Sequence, residues 1–298
     1  MKSRFKPDRG LNRRMLATTF LLGLLYVVFI GVLIALIKSA VLAIVIAGGL
    51  LFAQYWFSDR IALFAMHGRV VTPEEAPELH GVIDRLCALA DMPKPAVAIA
   101  DVDLPNAFAT GRSPKKAVVC VTTGIMRRLD ANELEGVLAH ELSHVAHRDV
   151  AVMTIASFLG VLAGLITRIT LWSGFGRSRD QNAAIVVLTI VGVSAVVYAL
   201  SFLLTRALSR YRELAADRAA AILTGHPSAL ASALTKVSGE IARIPSRDLR
   251  QAEAFNAFFF APAIAQGFSI SSLFATHPPL ERRLDQLAGI ARELGQEG

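Results

Sequence analysis

The chain has 298 residues, enough for a domain with a real core and additional parts. Hydrophobic residues make up 54% of it and the mean hydropathy is +0.50, which excludes an ordinary soluble protein. A formal charge of +7 can signal nucleic acid, but here the basic residues cluster beside apolar segments, so a membrane surface is the expected partner and nucleic acid is not.

The apolar excess lies in four segments. Residues 1–14 carry Lys2, Arg4, Lys6, Arg9, Arg13 and Arg14 against a single Asp8. The uncharged run from Leu16 to Ile37 is long enough, at ~1.5 Å per residue, to cross ~30 Å of hydrocarbon. It is too long for a signal-peptide core, and no small-x-small cleavage site follows. After Lys38-Ser39 a second run, 41–57, completes a hairpin. The positive-inside rule keeps the basic N-terminus in the cytoplasm, and the hairpin returns the chain there.

From 58 to 149 the composition is that of a soluble domain. Thr72-Pro73-Glu74-Glu75 reads as a helix start, and Leu79 to Leu89 has helical apolar spacing. Ala96 to Ala100 and Ala117 to Val121 read as strands, with Asn106 to Gly111 extended between them and a turn at Arg112-Ser113-Pro114-Lys115. Cys87 and Cys120 make neither a disulfide framework nor a zinc knuckle and read as reduced, partly buried thiols. After an expected turn at Gly124, Asp130 and Glu133 read as a capping box. It opens a helix whose Leu134, Val137, Leu138, Leu142 and Val145 form an apolar face.

That helix carries His140-Glu141-Leu142-Ser143-His144, the pattern H-E-x-x-H. Residues four apart share a helix face, ~6 Å apart along the axis, so both imidazoles can reach one metal ion. Glu141 beside them can take a proton from the ion's water, the arrangement of a zinc hydrolase.

Residues 150–204 read as a second hairpin, with spans at about 150–172 and 183–204. Arg177 and Arg179 in its connection count against an outside location, but the larger N-terminal excess outweighs them. Residues 205–298 return to soluble composition as the second half of the domain. Only Phe255 to Ile264 is strongly apolar there, too short to span and read as a core piece or a flap on the membrane.

A catalytic zinc site needs a third protein ligand. His147 lies ~10 Å along the helix from His140, too far to share an ion, and reads as an outer or surface residue. Glu213 and Asp217 are four apart on one helical face. Alone they would read as an exposed helix pairing with Arg206, Arg210 or Arg218. Beside H-E-x-x-H, Glu213 completes a His, His, Glu set for one ion per chain, and Asp217 can hold the far nitrogen of a ligand histidine. His67, His80 and His226 have no partner pattern and read as structural.

His140-Glu-Leu-Ser-His144, Glu213-Leu-Ala-Ala-Asp217, Pro105-Asn-Ala-Phe-Ala-Thr-Gly111 and Thr276-His277-Pro278-Pro279 together resemble the HtpX-family integral-membrane zinc metalloproteases, related to the CAAX prenyl endopeptidases. The resemblance covers nearly the whole chain. It implies a mainly α membrane protein with four transmembrane helices in two hairpins and a cytoplasmic α+β zincin-like (gluzincin) domain with a small sheet. It also implies a bacterial inner-membrane zinc endopeptidase clearing misfolded or damaged membrane proteins, with the bilayer and membrane-protein or peptide substrates as partners. Asn106, Ala107, Phe108, Ala109 and Thr110 look like the edge strand that pairs with substrate, and His277 like an oxyanion donor. Arg282 would assist His277 or pair with Glu281. The alternatives are a CAAX-type prenyl-peptide endopeptidase and a non-enzymatic membrane scaffold with a structural metal.

Overall fold

The structure is a computed structural model that describes residues 9–37, 63–64, 66–111, 113–174, 181–243 and 277–295, with isolated positions 48, 49, 52 and 56. In chain order its elements are α1 (Arg9–Ile37), β1 (Gly68–Val70), α2 (Pro77–Ala90), β2 (Ala96–Ala100), β3 (Ala107–Thr110) and a single 3-10 turn at Pro114–Lys116. There follow β4 (Val118–Thr122), α3 (Thr123–Arg128), α4 (Ala131–Ala146), α5 (Asp149–Gly174), α6 (Gln181–Thr224), α7 (Pro227–Arg243) and α8 (Leu280–Glu293).

Among the described residues two helices are long and apolar enough to cross a membrane, Arg9–Gly31 of α1 and Val187–Thr224 of α6. The pair Ala131–Ala146 and Asp149–Gly164, bent by 64°, passes the same test only when taken together. The second expected span, 41–57, lies outside the described residues apart from its isolated positions, as does Phe255 to Ile264. The protein is therefore helical with a small mixed sheet, and among the described residues two spans, not four, stand on their own. The 44 residues of α6 exceed the roughly 20 that a bilayer needs. Its charged residues begin at Arg206, so the C-terminal part stands beyond the apolar stretch.

The sheet has the order β1-β2-β4-β3. β2 and β4 are parallel, and the two outer strands run antiparallel to their neighbours. Val97, Val119 and Val121 point to the face that packs on the helices, which explains why both central strands are β-branched. β3 is left at one edge, with Asn106 tied in front of it through its N–H to Thr122 Oγ1 at 2.9 Å. Thr72 to Glu75 forms a turn closed by the Thr72 N–H on Glu75, and the helix expected there begins instead at Pro77, where a missing N–H costs nothing.

Gly124 belongs to the short helix α3 rather than to a turn. A Cβ there would sit 2.1 Å from the Asp103 carbonyl oxygen, so only glycine permits that approach. α4 opens with the capping box: Asp130 accepts from the Glu133 N–H at 2.9 Å and Glu133 accepts from the Asp130 N–H at 3.0 Å. Val137, Leu138, Leu142 and Val145 are buried in the main core with Leu79, Ile83 and Leu86 of α2 and Leu230, Leu234 and Val237 of α7. Truncating one such leucine to alanine costs roughly 2–5 kcal/mol. Gly136 lets α7 approach closely, since a Cβ would lie 3.3 Å from the Leu230 backbone. This packing leaves the opposite face of α4 turned toward α6.

Candidate metal centre and active site

His140 and His144 project from that face as the four-residue spacing requires, with their Nε2 atoms 3.1 Å apart. Glu213, on α6, comes to meet them. Its Oε2 is 3.6 Å from His140 Nε2 and its Oε1 is 3.4 Å from His144 Nε2. One ligand atom from each of the three residues lies within 4.8 Å of the others.

These separations suit a small divalent cation. An ion bound tetrahedrally at ~2.0–2.1 Å holds its ligand atoms about 3.3 Å apart. Two neutral imidazoles and one carboxylate are also the donor types such an ion takes, and Glu213 Oε2 is buried without a hydrogen bond in good geometry. The residues present fit a metal ion.

Around the three donors lies a ring of charged partners. Asp217, fully buried, places Oδ1 3.0 Å from His140 Nδ1, while Asp149 Oδ2 is 2.6 Å from His144 Nδ1. Each imidazole thus has a carboxylate behind it, which fixes the tautomer that turns the Nε2 lone pair toward Glu213 and a shared ion. Arg283 donates to both Asp217 oxygens, at 2.7 and 2.6 Å, and its Nη1 is 3.7 Å from Glu213 Oε2. Arg212 forms an ion pair with Asp149. His277, just ahead of α8, brings Nδ1 to 3.0 Å from Glu213 Oε2.

The two glutamates differ in their charge environment. Burial pushes the Glu141 carboxyl up, against the pull of His140 and His144. Burial would raise Glu213 as well, but His277, His140 and His144 hold it well below the usual carboxylate range. Glu141 Oε2 also accepts a hydrogen bond of 2.9 Å from the Ala109 N–H, which joins the edge strand β3 to the centre. Asn106, Ala107, Phe108 and Thr110 are buried and Ala109 is half-buried.

The geometry brings His140, Glu141, His144, Glu213, Asp217, Ala109 and His277 into one cluster. The recorded partners of Glu213 are His140, His144, His277 and Arg283, not Arg206, Arg210 or Arg218, and Arg218 pairs with Glu293. His147 caps α4 with Nδ1 2.7 Å from the Ser143 carbonyl. Arg282, expected to assist His277 or to pair with Glu281, is exposed, and its neighbour Arg283 takes the buried position. Arg283 stands four and seven residues before Leu287 and Ile290, the buried stripe of α8, and that spacing marks its face. Asp149 and Arg212 were not singled out by motif. The signal was a charged residue heading an apolar run and an arginine next to Glu213.

Comparison with known proteins follows the same lines. Peptidase family M48 matches residues 73–291, more than half of the chain. The chain is 68% identical over 297 residues to "Protease HtpX homolog 1" of Streptomyces coelicolor, covering 99% of this chain and 98% of that one. It is 53% identical over 296 residues to "Protease HtpX homolog" of Moorella thermoacetica, covering 99% of each. Among solved structures, S. mikatae Ste24p superimposes with a TM-score of 0.54 at 20% identity, over 89% of this chain and 62% of that one, a likeness of fold.

Proposed function

The chain belongs to peptidase family M48, among the HtpX proteases, and is a membrane metalloprotease; from that premise we propose that it is a zinc endopeptidase whose ion is held by His140, His144 and Glu213. The observation that carries the proposal is the approach of Glu213 to both imidazoles from a helix that begins as an apolar span. Zinc, when bound there, would lower the pKa of its water toward ~7 and polarise the scissile carbonyl.

The protein's own groups supply the proton chemistry. Glu141 takes the proton of the attacking water and passes it to the leaving amine. Its raised pKa suits both halves of that transfer. Asp217 keeps His140 in the tautomer that offers Nε2. His277 donates a hydrogen bond to the oxyanion as it develops. An extended substrate lies along Asn106 and β3 and pairs through backbone groups, so many sequences are accepted. Water is the nucleophile, and no acyl-enzyme forms.

The setting points to the substrate class. α4 leads into the apolar α5 after a two-residue break, and α6 carries Glu213 beyond its own apolar stretch. With four spans and the basic N-terminus inside, the site lies at the cytoplasmic face of the bacterial inner membrane. There it meets the loops and tails of misfolded or damaged membrane proteins. The prenyl-peptide alternative is not favoured, because the near full-length relatives are HtpX proteases and the Ste24p likeness speaks for fold alone.

The test is zinc content and casein cleavage measured together. Glu141→Gln should keep one zinc per chain and lose cleavage. Glu213→Ala should lose the zinc. A fully metallated, active Glu213→Ala protein would refute the ligand set.

A further inference from the structure

Asp149 is five residues past His144. On a continuous helix it would lie about 140° around and 7.5 Å along the axis, out of reach of that ring. The helix does not continue. α4 stops at Ala146, Arg148 takes a left-handed conformation (φ 56°), and α5 leaves at 64°. A non-glycine residue in that region is uncommon and costs free energy that the surroundings must offset. The bend returns Asp149, the first residue of α5, onto His144 Nδ1 at 2.6 Å.

The second carboxylate oxygen of Asp149 faces Arg212, which also donates to the His147 carbonyl at 3.2 Å. Both side chains are buried. Arg212 directly precedes Glu213, so one buried junction joins the end of α4, the start of α5 and the turn of α6 that bears the third donor. Close packing of α5 on α6 holds it in place. A Cβ at Gly160 would meet Ser201 Oγ at 2.9 Å, and Thr205 Oγ1 donates to the Ala156 carbonyl at 3.1 Å. A buried ion pair is by itself weak evidence for stability, since apolar residues of like volume often serve as well. Its position behind a donor histidine gives it a further role.

We propose that Asp149 is a positioning residue for His144, that Arg212 holds Asp149 in place, and that the α5/α6 helix pair thereby sets how tightly the metal is bound. The inference rests on the assignment of His144 as a ligand. Loosening the helix pair then weakens the metal site with no change to any residue that touches the ion.

The experiment uses the full chain in detergent micelles, stripped of metal, with Zn²⁺ affinity read by competition with a chromophoric chelator. The melting temperature of each metal-free protein is measured alongside. Asp149→Ala is expected to weaken zinc by about 10–100-fold. Asp149→Asn, whose amide oxygen still accepts from Nδ1–H, should restore most of that loss. Wild-type zinc affinity in a folded Asp149→Ala protein, with only the metal-free melting temperature lowered, would make the junction purely structural and overturn the proposal. If Asp149→Ala does not fold, Arg212→Gln decides: a weaker site supports the proposal and wild-type affinity overturns it. His144→Ala separates the two levels of inference. Loss of zinc there with none in Asp149→Ala sinks the positioning role alone, whereas retention in His144→Ala sinks the ligand assignment and this proposal with it.

Discussion

Glu141 and Glu213 are both buried, and the same two histidines act on both, yet their surroundings drive them apart. Glu141 is raised by burial, whereas Glu213 is held low by His277, His140 and His144 in spite of its burial. Carboxylates separated in this way divide the work: the raised one moves protons and the lowered one stays a charged ligand. The division predicts the effect of a small displacement. Glu141→Asp keeps the charge but withdraws the carboxylate by one methylene, and an ångström of misplacement costs about 10²-fold in rate. We expect unchanged zinc content by atomic absorption and kcat on casein lowered about 10²-fold. A comparable loss of zinc would instead make Glu141 part of the metal's support. At this scale His140 and His144 were legible because a helix brings i and i+4 together without help from the rest of the fold. Glu213 was legible only beside them. Choosing Arg283 over Arg282 needed the buried stripe of α8, which Leu287 and Ile290 define.

The helix that carries the histidines is secured at its N-terminus by more than its cap. Glu133 accepts from the Asp130 N–H, from Ser232 Oγ at 2.6 Å and from Lys236 Nζ, which pins α4 to α7. Burial opposes its ionisation, but Lys236, Ser232 and the Asp130 N–H prevail and hold its pKa below 4.5. A carboxylate depressed by folding contributes stability above its unfolded pKa, and that contribution is lost as pH falls through the folded value. Glu133→Gln should therefore differ from wild type in melting temperature near neutral pH, and the difference should shrink below about pH 4.5, as followed by thermal scans across pH. Asp130→Ala should cost about 1 kcal/mol in denaturant titrations, with little change in zinc affinity. The capping box was readable because Asp and Glu at that spacing satisfy a helix end locally. The Lys236 clamp was not, because α7 reaches Glu133 only through tertiary packing. The change at Thr205 marked a change of surroundings rather than the end of a helix, since α6 runs unbroken from Gln181 to Thr224.

Across the whole molecule the centre joins parts that are far apart in the chain. His140 and His144 come from a helix fixed to the sheet, Glu213 from a helix that starts in the apolar bundle, and His277 and Arg283 from the C-terminal segment. Apolar run length made α1 and the first part of α6 legible as helices long enough to cross a membrane. The junction at Asp149 was hidden, because it exists only through a bend that hydropathy does not mark. A metal bound at such a meeting point ties the bundle to the sheet domain, and its binding free energy adds to folding. With free zinc at 100 times its dissociation constant the gain is about 2.7 kcal/mol. At ~2–4 °C per kcal/mol for a large domain, chelation should lower the melting temperature of the wild type by about 5–10 °C. Glu213→Ala should melt at one temperature with or without zinc. Equal melting of loaded and chelated wild type would show that the ion does not bridge the two parts.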